Sequence, residues 1–174
     1  KDDIYNPTYE SITLKHDSKY TEKQIEQVHI NLGLNGLPYA DDKSYSLVLL
    51  NNIFGGGASS ILFQKVREEL GLCYSVYSYM QPYLGVGTMN IYTGLSNKYC
   101  DKAISVINEH LYDFASKGIS KELLEINKEK IKASYILGLE STSSRMFANA
   151  KCFLLQNKIK TQEDVIKRIN KIDN

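Results

Sequence analysis

The chain has few of the residues that metal and nucleophile chemistry requires. Its three histidines, His16, His29 and His110, are far apart, so no pair brings two zinc ligands onto one helix beside a water-activating glutamate. The nearest approach to an inverted H-x-x-E-H arrangement is Val106-Ile107-Asn108-Glu109-His110, where valine stands in the first histidine's place; His110 falls on the apolar stripe of its helix, and the match reads as coincidence. Cysteine is equally sparse. Cys73, Cys100 and Cys152 are widely separated and form no C-x-x-C spacing, which indicates neither a zinc knuckle nor a disulfide framework and favours free thiols in a reducing compartment. There is no G-x-S-x-G elbow, and Gly55-Gly56-Gly57 lacks the Lys-Ser/Thr of a phosphate loop. A formal charge of +1 without a long basic run argues against nucleic acid as a partner. Apolar runs such as Leu47 to Leu50 are far shorter than the roughly 20 residues of a spanning helix. With polar first residues and no visible export signal, no membrane partner is expected and the expected location is cytoplasmic.

What is present suits one packed domain: 174 residues, of which 43% are hydrophobic. Residues 1–22, with Asn6-Pro7 and the short alternation Ile12-Thr13-Leu14, read as a linker or an edge strand from a preceding domain, and residues 23–174 as the domain proper. Val28, Ile30, Leu32 and Leu34 alternate with Gln27, His29, Asn31 and Gly33, the pattern of a half-buried strand. His29, on the polar side, reads as a solvated histidine, with a cleft-facing role as the alternative. Asp41-Asp42 offer an acidic start to a helix carrying Tyr45, Leu49 and Ile53.

The densest stretch runs from Phe54 to Ser78. After the glycine run, Leu62, Val66 and Leu70 recur at helical spacing with Phe63 beside them, and Arg67 lies on the flank of that stripe. Gly71 stands where a left-handed residue would end the helix, and Leu72 to Tyr79 follows as a strand. Gln81-Pro82-Tyr83 predicts a turn into a second strand, Leu84 to Thr93, paired with the first. Asn97 is the expected cap of a helix reaching Phe114 and stopped by Gly118. Ser120 is the expected cap of a helix with Leu123, Leu124, Ile131 and Tyr135. A third helix carries Met146, Phe147, Ala150, Phe153 and Leu154, and Thr161-Gln162-Glu163-Asp164 predicts a capping box on a fourth. The order predicts an α+β domain: an antiparallel sheet with helices packed on one face.

Three segments together resemble a known family: Gln27 to Gly33, Phe54 to Phe63, and Val66 to Val76, extended by Gly118 to Leu123 and Leu139 to Met146. They are similar to the insulinase/pitrilysin zinc peptidases, and within them to the C-terminal, non-zinc domain of the branch that resembles mitochondrial processing peptidase. The resemblance covers about residues 23 to 173 and implies the LuxS/mitochondrial processing peptidase-like metallohydrolase fold. It also implies two similar domains enclosing a chamber for peptide substrate. The first would carry the inverted zinc motif; the second would close the chamber and contribute an arginine and a tyrosine seven residues apart. Arg67 and Tyr74 match that pair, as auxiliary catalytic residues for substrate and oxyanion. The zinc motif and its later glutamate ligand are absent, so no metal or cofactor is expected in this chain, and zinc is expected in an N-terminal domain or a partner subunit. The family domain usually continues into a further helix and a closing strand, so truncation at the C-terminus is expected. A non-catalytic structural or regulatory subunit of the same fold is the alternative function.

Overall fold

The computed structural model describes residues 17–19, 21 and 25–173; the alternation at Ile12 to Leu14 lies outside them. Three strands form one antiparallel sheet: β1 (Val28–Gly36), β2 (Ser75–Pro82) and β3 (Gly87–Leu95), in the order β1-β3-β2. The side chains of β1 alternate strictly between half-buried and exposed, so Val28, Ile30, Leu32 and Leu34 turn toward the helices as their period of two dictates. Five α-helices follow the order α1 (Ser44–Gly55), α2 (Cys100–Lys117), α3 (Lys121–Gly138), α4 (Thr142–Gln156) and α5 (Gln162–Asn170).

The main core lies between the helices and one face of the sheet. Val76, Met89, Ile91 and Leu95 from the strands meet Phe54, Leu62, Val66, Leu72, Ala103 and Ile107. A smaller cluster joins Leu49 and Ile53 of α1 to Leu124 of α3. Phe54 is completely buried with its ring 5.3 Å from that of Phe114, and truncating such a ring to alanine costs about 3–5 kcal/mol.

Several boundaries differ from the sequence expectation, each for a local reason. The hairpin turn falls at residues 83–86, where Tyr83 N–H donates to Val86 C=O at 2.8 Å; Pro82 therefore ends an edge strand, where its missing N–H leaves no ladder bond unmade. Asp41 and Asp42 precede α1 instead of occupying its first turn. Asp41 Oδ1 accepts from Lys43 N–H at 2.7 Å, a local turn that competes with helix. Asn97 does not cap α2. A 3₁₀ turn, Asn97–Tyr99, comes first, and its Tyr99 N–H to Ser96 C=O bond at 2.9 Å satisfies a donor that a cap would otherwise serve. Ser120 and Thr161 do cap α3 and α5 with side-chain bonds, the latter in a complete capping box with Asp164.

The apolar positions of α4 are the largest departure from simple core-forming behaviour. Met146, Phe147, Phe153 and Leu154 are all exposed, and Cys152 is the helix's buried residue.

Candidate functional site

Arg67 and Tyr74 flank the turn that joins the first helical region to the sheet. Phe63–Glu69 is a π-helical segment, the wide turn that recurs at functional sites. Leu62 and Val66 bury completely, as their spacing predicts, whereas Leu70 is 44% exposed and Leu72 takes the third core position. The helix ending explains the exchange. Gly71 adopts φ +58°, which costs a glycine little; its N–H donates to Arg67 C=O and the Leu72 N–H to Val66 C=O, both at 3.1 Å. The chain therefore folds back under the segment at Leu72. Two residues later Tyr74 N–H donates to Gly94 C=O at 2.9 Å, fixing Tyr74 to the end of β3.

Arg67 stands on the exposed flank with its guanidinium 4.7 Å from the centroid of the Phe63 ring, a cation–π seat that holds the side chain while leaving its donors open. Its ion pair with Glu68 is long, 4.0 Å from Nε, and exposed, so it contributes little. Tyr74 is 62% exposed, and its hydroxyl makes no hydrogen bond among the described residues. Between them, Cys73 is half-buried; burial raises its thiol pKa, outweighing a hydrogen bond with Thr93 and the charge of Arg67.

The sheet face opposite the helices begins at the same place. Cross-strand pairing aligns His29, Gly94 and Ser75 in one row, Asn31, Tyr92 and Tyr77 in the next, and Gly33, Asn90 and Tyr79 in a third. His29 Nδ1 lies 2.7 Å from the Tyr92 hydroxyl, and the two rings stack with centroids 5.9 Å apart. His29 is thus exposed, as expected of the polar side of β1, but engaged. Sequence reasoning missed this partnership. The alternation placed His29 on the polar side of β1 without naming a partner, and only the order β1-β3-β2 makes Tyr92 its neighbour.

A second concavity of about 380 Å³ lies among α1, α3, α4 and α5 and includes Tyr39, Tyr45, Tyr135 and Cys152 in its wall. Burial raises the pKa of all three phenols, so they remain neutral hydrogen-bonding groups at physiological pH. Among the described residues no three His, Cys, Asp or Glu side chains are grouped to hold a metal ion, and His110, on α2, belongs to no such group. The described side chains do not fit a zinc site.

The chain is 42% identical over 159 residues to the uncharacterized zinc protease YmxG of Bacillus subtilis, an alignment that includes 91% of this chain and 39% of that protein's length. A conserved protein from Enterococcus faecalis is 29% identical, with a TM-score of 0.73 over 86% of this chain and 35% of that one. The peptidase M16 inactive domain from Pseudomonas fluorescens shares the fold at 20% identity, with a TM-score of 0.74 over 84% of this chain and 35% of that one. Residues 2–131 match the family described as the Peptidase M16 inactive domain. With its antiparallel sheet, its one-sided helices and no grouping fit for zinc among the described residues, the chain belongs to the inactive-domain family of the M16 zinc peptidases.

Proposed function

We propose that this chain is the non-metal half of a zinc metallopeptidase that cleaves peptides in a chamber between two domains. Arg67 holds substrate backbone carbonyls and Tyr74 donates to the oxyanion. The observation that carries this is the arrangement around Gly71, which places an exposed guanidinium and a phenol without a hydrogen-bond partner among the described residues on either side of one tight turn. A guanidinium presents five donors in a planar fork suited to carbonyl oxygens. A phenolic O–H without an internal partner can strengthen its hydrogen bond as negative charge develops on a scissile amide, which is the differential binding that lowers a barrier. Zinc, and the water it activates, belong to the N-terminal domain or partner subunit that completes the chamber.

The test is kinetic and uses the enzyme that contains both domains. Tyr74→Phe is expected to lower kcat by about tenfold or more with KM little changed, since losing one oxyanion donor costs up to about 10²–10³ in kcat. Arg67→Ala is expected to raise KM. An unchanged kcat for Tyr74→Phe removes Tyr74 from the role. The absence of an H-x-x-E-H motif from the whole gene product and from any partner chain would favour the structural or regulatory subunit instead.

A further inference from the structure

Among the described residues, the rows of the open sheet face, those named above and the next, Asn35, Thr88 and Gln81, contain no Lys, Arg, Asp or Glu, in a chain where 24% of residues are charged. A sheet face meant for water ordinarily carries such charges. One that is to be covered without desolvating ions does well to lack them. The face is also aromatic. Tyr77 and Tyr92 have centroids 4.9 Å apart at 32°, and Tyr79 extends the group from Tyr77 at 5.9 Å. Tyr77 is 44% exposed. Tyr92 is held by its bond to His29 Nδ1, which ties its hydroxyl to the neighbouring strand and fixes the ring. Gly94 lies beside this group: a methyl group on it would stand 3.1 Å from Ser75 Oγ, 3.4 Å from the Tyr92 hydroxyl and 3.6 Å from His29 Nδ1.

We propose that this face is a substrate subsite that takes an uncharged aromatic or aliphatic side chain of an extended peptide. Tyr77 and Tyr92 form the platform, and His29 supplies a polar contact to the peptide backbone. The proposal rests on Arg67 and Tyr74 being substrate contacts, because continuity with them selects peptide as the occupant. Tyr74 is the residue before Ser75, and its N–H is bonded to the carbonyl of Gly94, at the first of the three rows. A peptide held at Tyr74 reaches the Tyr77–Tyr92 platform within about two to three residues at roughly 3.4 Å each. Aromatic faces reward an apolar or aromatic side chain, while a small polar one offers them little surface to cover. When Tyr92 donates to Nδ1, His29 keeps Nε2–H free for a peptide carbonyl.

The experiment uses the enzyme containing both domains and quenched fluorogenic peptides that differ only by Phe or Ser at successive positions on either side of the cleaved bond. Tyr77→Ala is expected to lower kcat/KM for the preferred Phe peptide by about five- to tenfold, through KM, while leaving its Ser counterpart nearly unchanged. Tyr77→Phe, which keeps the ring, should restore the preference. An equal loss on every peptide would overturn the subsite. So would an intact Phe preference accompanied by a lower Tm or a changed assembly, which would make the face a contact between domains. Tyr74→Phe is measured beside these. If it lowers kcat while Tyr77→Ala leaves selectivity intact, the subsite fails and the catalytic role of Tyr74 stands. If kcat is unchanged while Tyr77→Ala abolishes the Phe preference, the subsite stands and the role of Tyr74 fails.

Discussion

Gly71 has the greatest influence of any single residue on the site. A side chain there would have to occupy the left-handed region, at a cost of about 1–2 kcal/mol, and any relaxation would shift Tyr74 relative to Arg67. Gly71→Ala is therefore expected to lower stability by about that amount in urea unfolding, and to lower activity of the two-domain enzyme beyond what the lost folded fraction explains. Cys73 gives a second test at this scale. Because burial raises its thiol pKa, its thiolate is scarce at neutral pH. Alkylation by iodoacetamide, followed by mass spectrometry, should be slow at pH 7 and accelerate only as pH rises past the ordinary cysteine value of about 8.5. Rapid modification at pH 7 would show that the charge of Arg67 dominates its surroundings instead. Arg67, Gly71 and Tyr74 were legible from the sequence as a stop flanked by two polar residues and by family resemblance. The seat of Arg67 on Phe63 joins residues four apart, which helical spacing of either kind brings together.

Among the elements, the caps separate local from tertiary control. Ser120 accepts the Leu123 N–H at 3.2 Å, and Ser120→Ala should cost about 1 kcal/mol by thermal or urea unfolding. On α5, Thr161 and Asp164 satisfy each other's backbone donors. The hydrogen bonds from the Thr161 backbone and hydroxyl hold the Asp164 carboxyl below its ordinary value. The sign follows from linkage: a depressed folded value stabilises fully above the unfolded aspartate pKa, about 3.9, and that contribution is lost as pH falls through the lowered folded value. Acid titration of helical ellipticity should show this loss, and Asp164→Asn should remove that share of the pH dependence. Both caps were readable because the partners lie three residues apart. By contrast, α1 and α2 have no side-chain cap; a turn at Asp41 and a 3₁₀ turn at Asn97 won instead, and choosing between such local alternatives depends on how the preceding chain enters the fold.

At the scale of the molecule, the exposed apolar surface is the feature most at odds with an isolated domain. Phe147 is 68% exposed and Leu154 78%, with Leu137 and Met146 also open, on a chain that spans 39% of the length of its Bacillus subtilis relative. Apolar exposure of this kind marks contact surfaces. The chain alone should bind a hydrophobic dye and self-associate in light scattering, and Phe147→Gln with Leu154→Gln should reduce both while changing stability by only about 0.5 kcal/mol per site. Metal analysis of the purified chain should find no stoichiometric zinc. The sequence by itself determined the α+β class, the alternation of β1, the stops at Gly71 and Gly118 and the caps at Ser120 and Thr161, because each depends on residues a few positions apart. It also marked Arg67 and Tyr74. Only the tertiary structure decided that β3 lies between β1 and β2, that Leu72 and not Leu70 enters the core, that α4 leaves its large side chains uncovered, and that His29 meets Tyr92 on a face without charge. The meeting of His29 and Tyr92 joins residues 63 positions apart, and side-chain periodicity specifies the faces of an element without naming their partners.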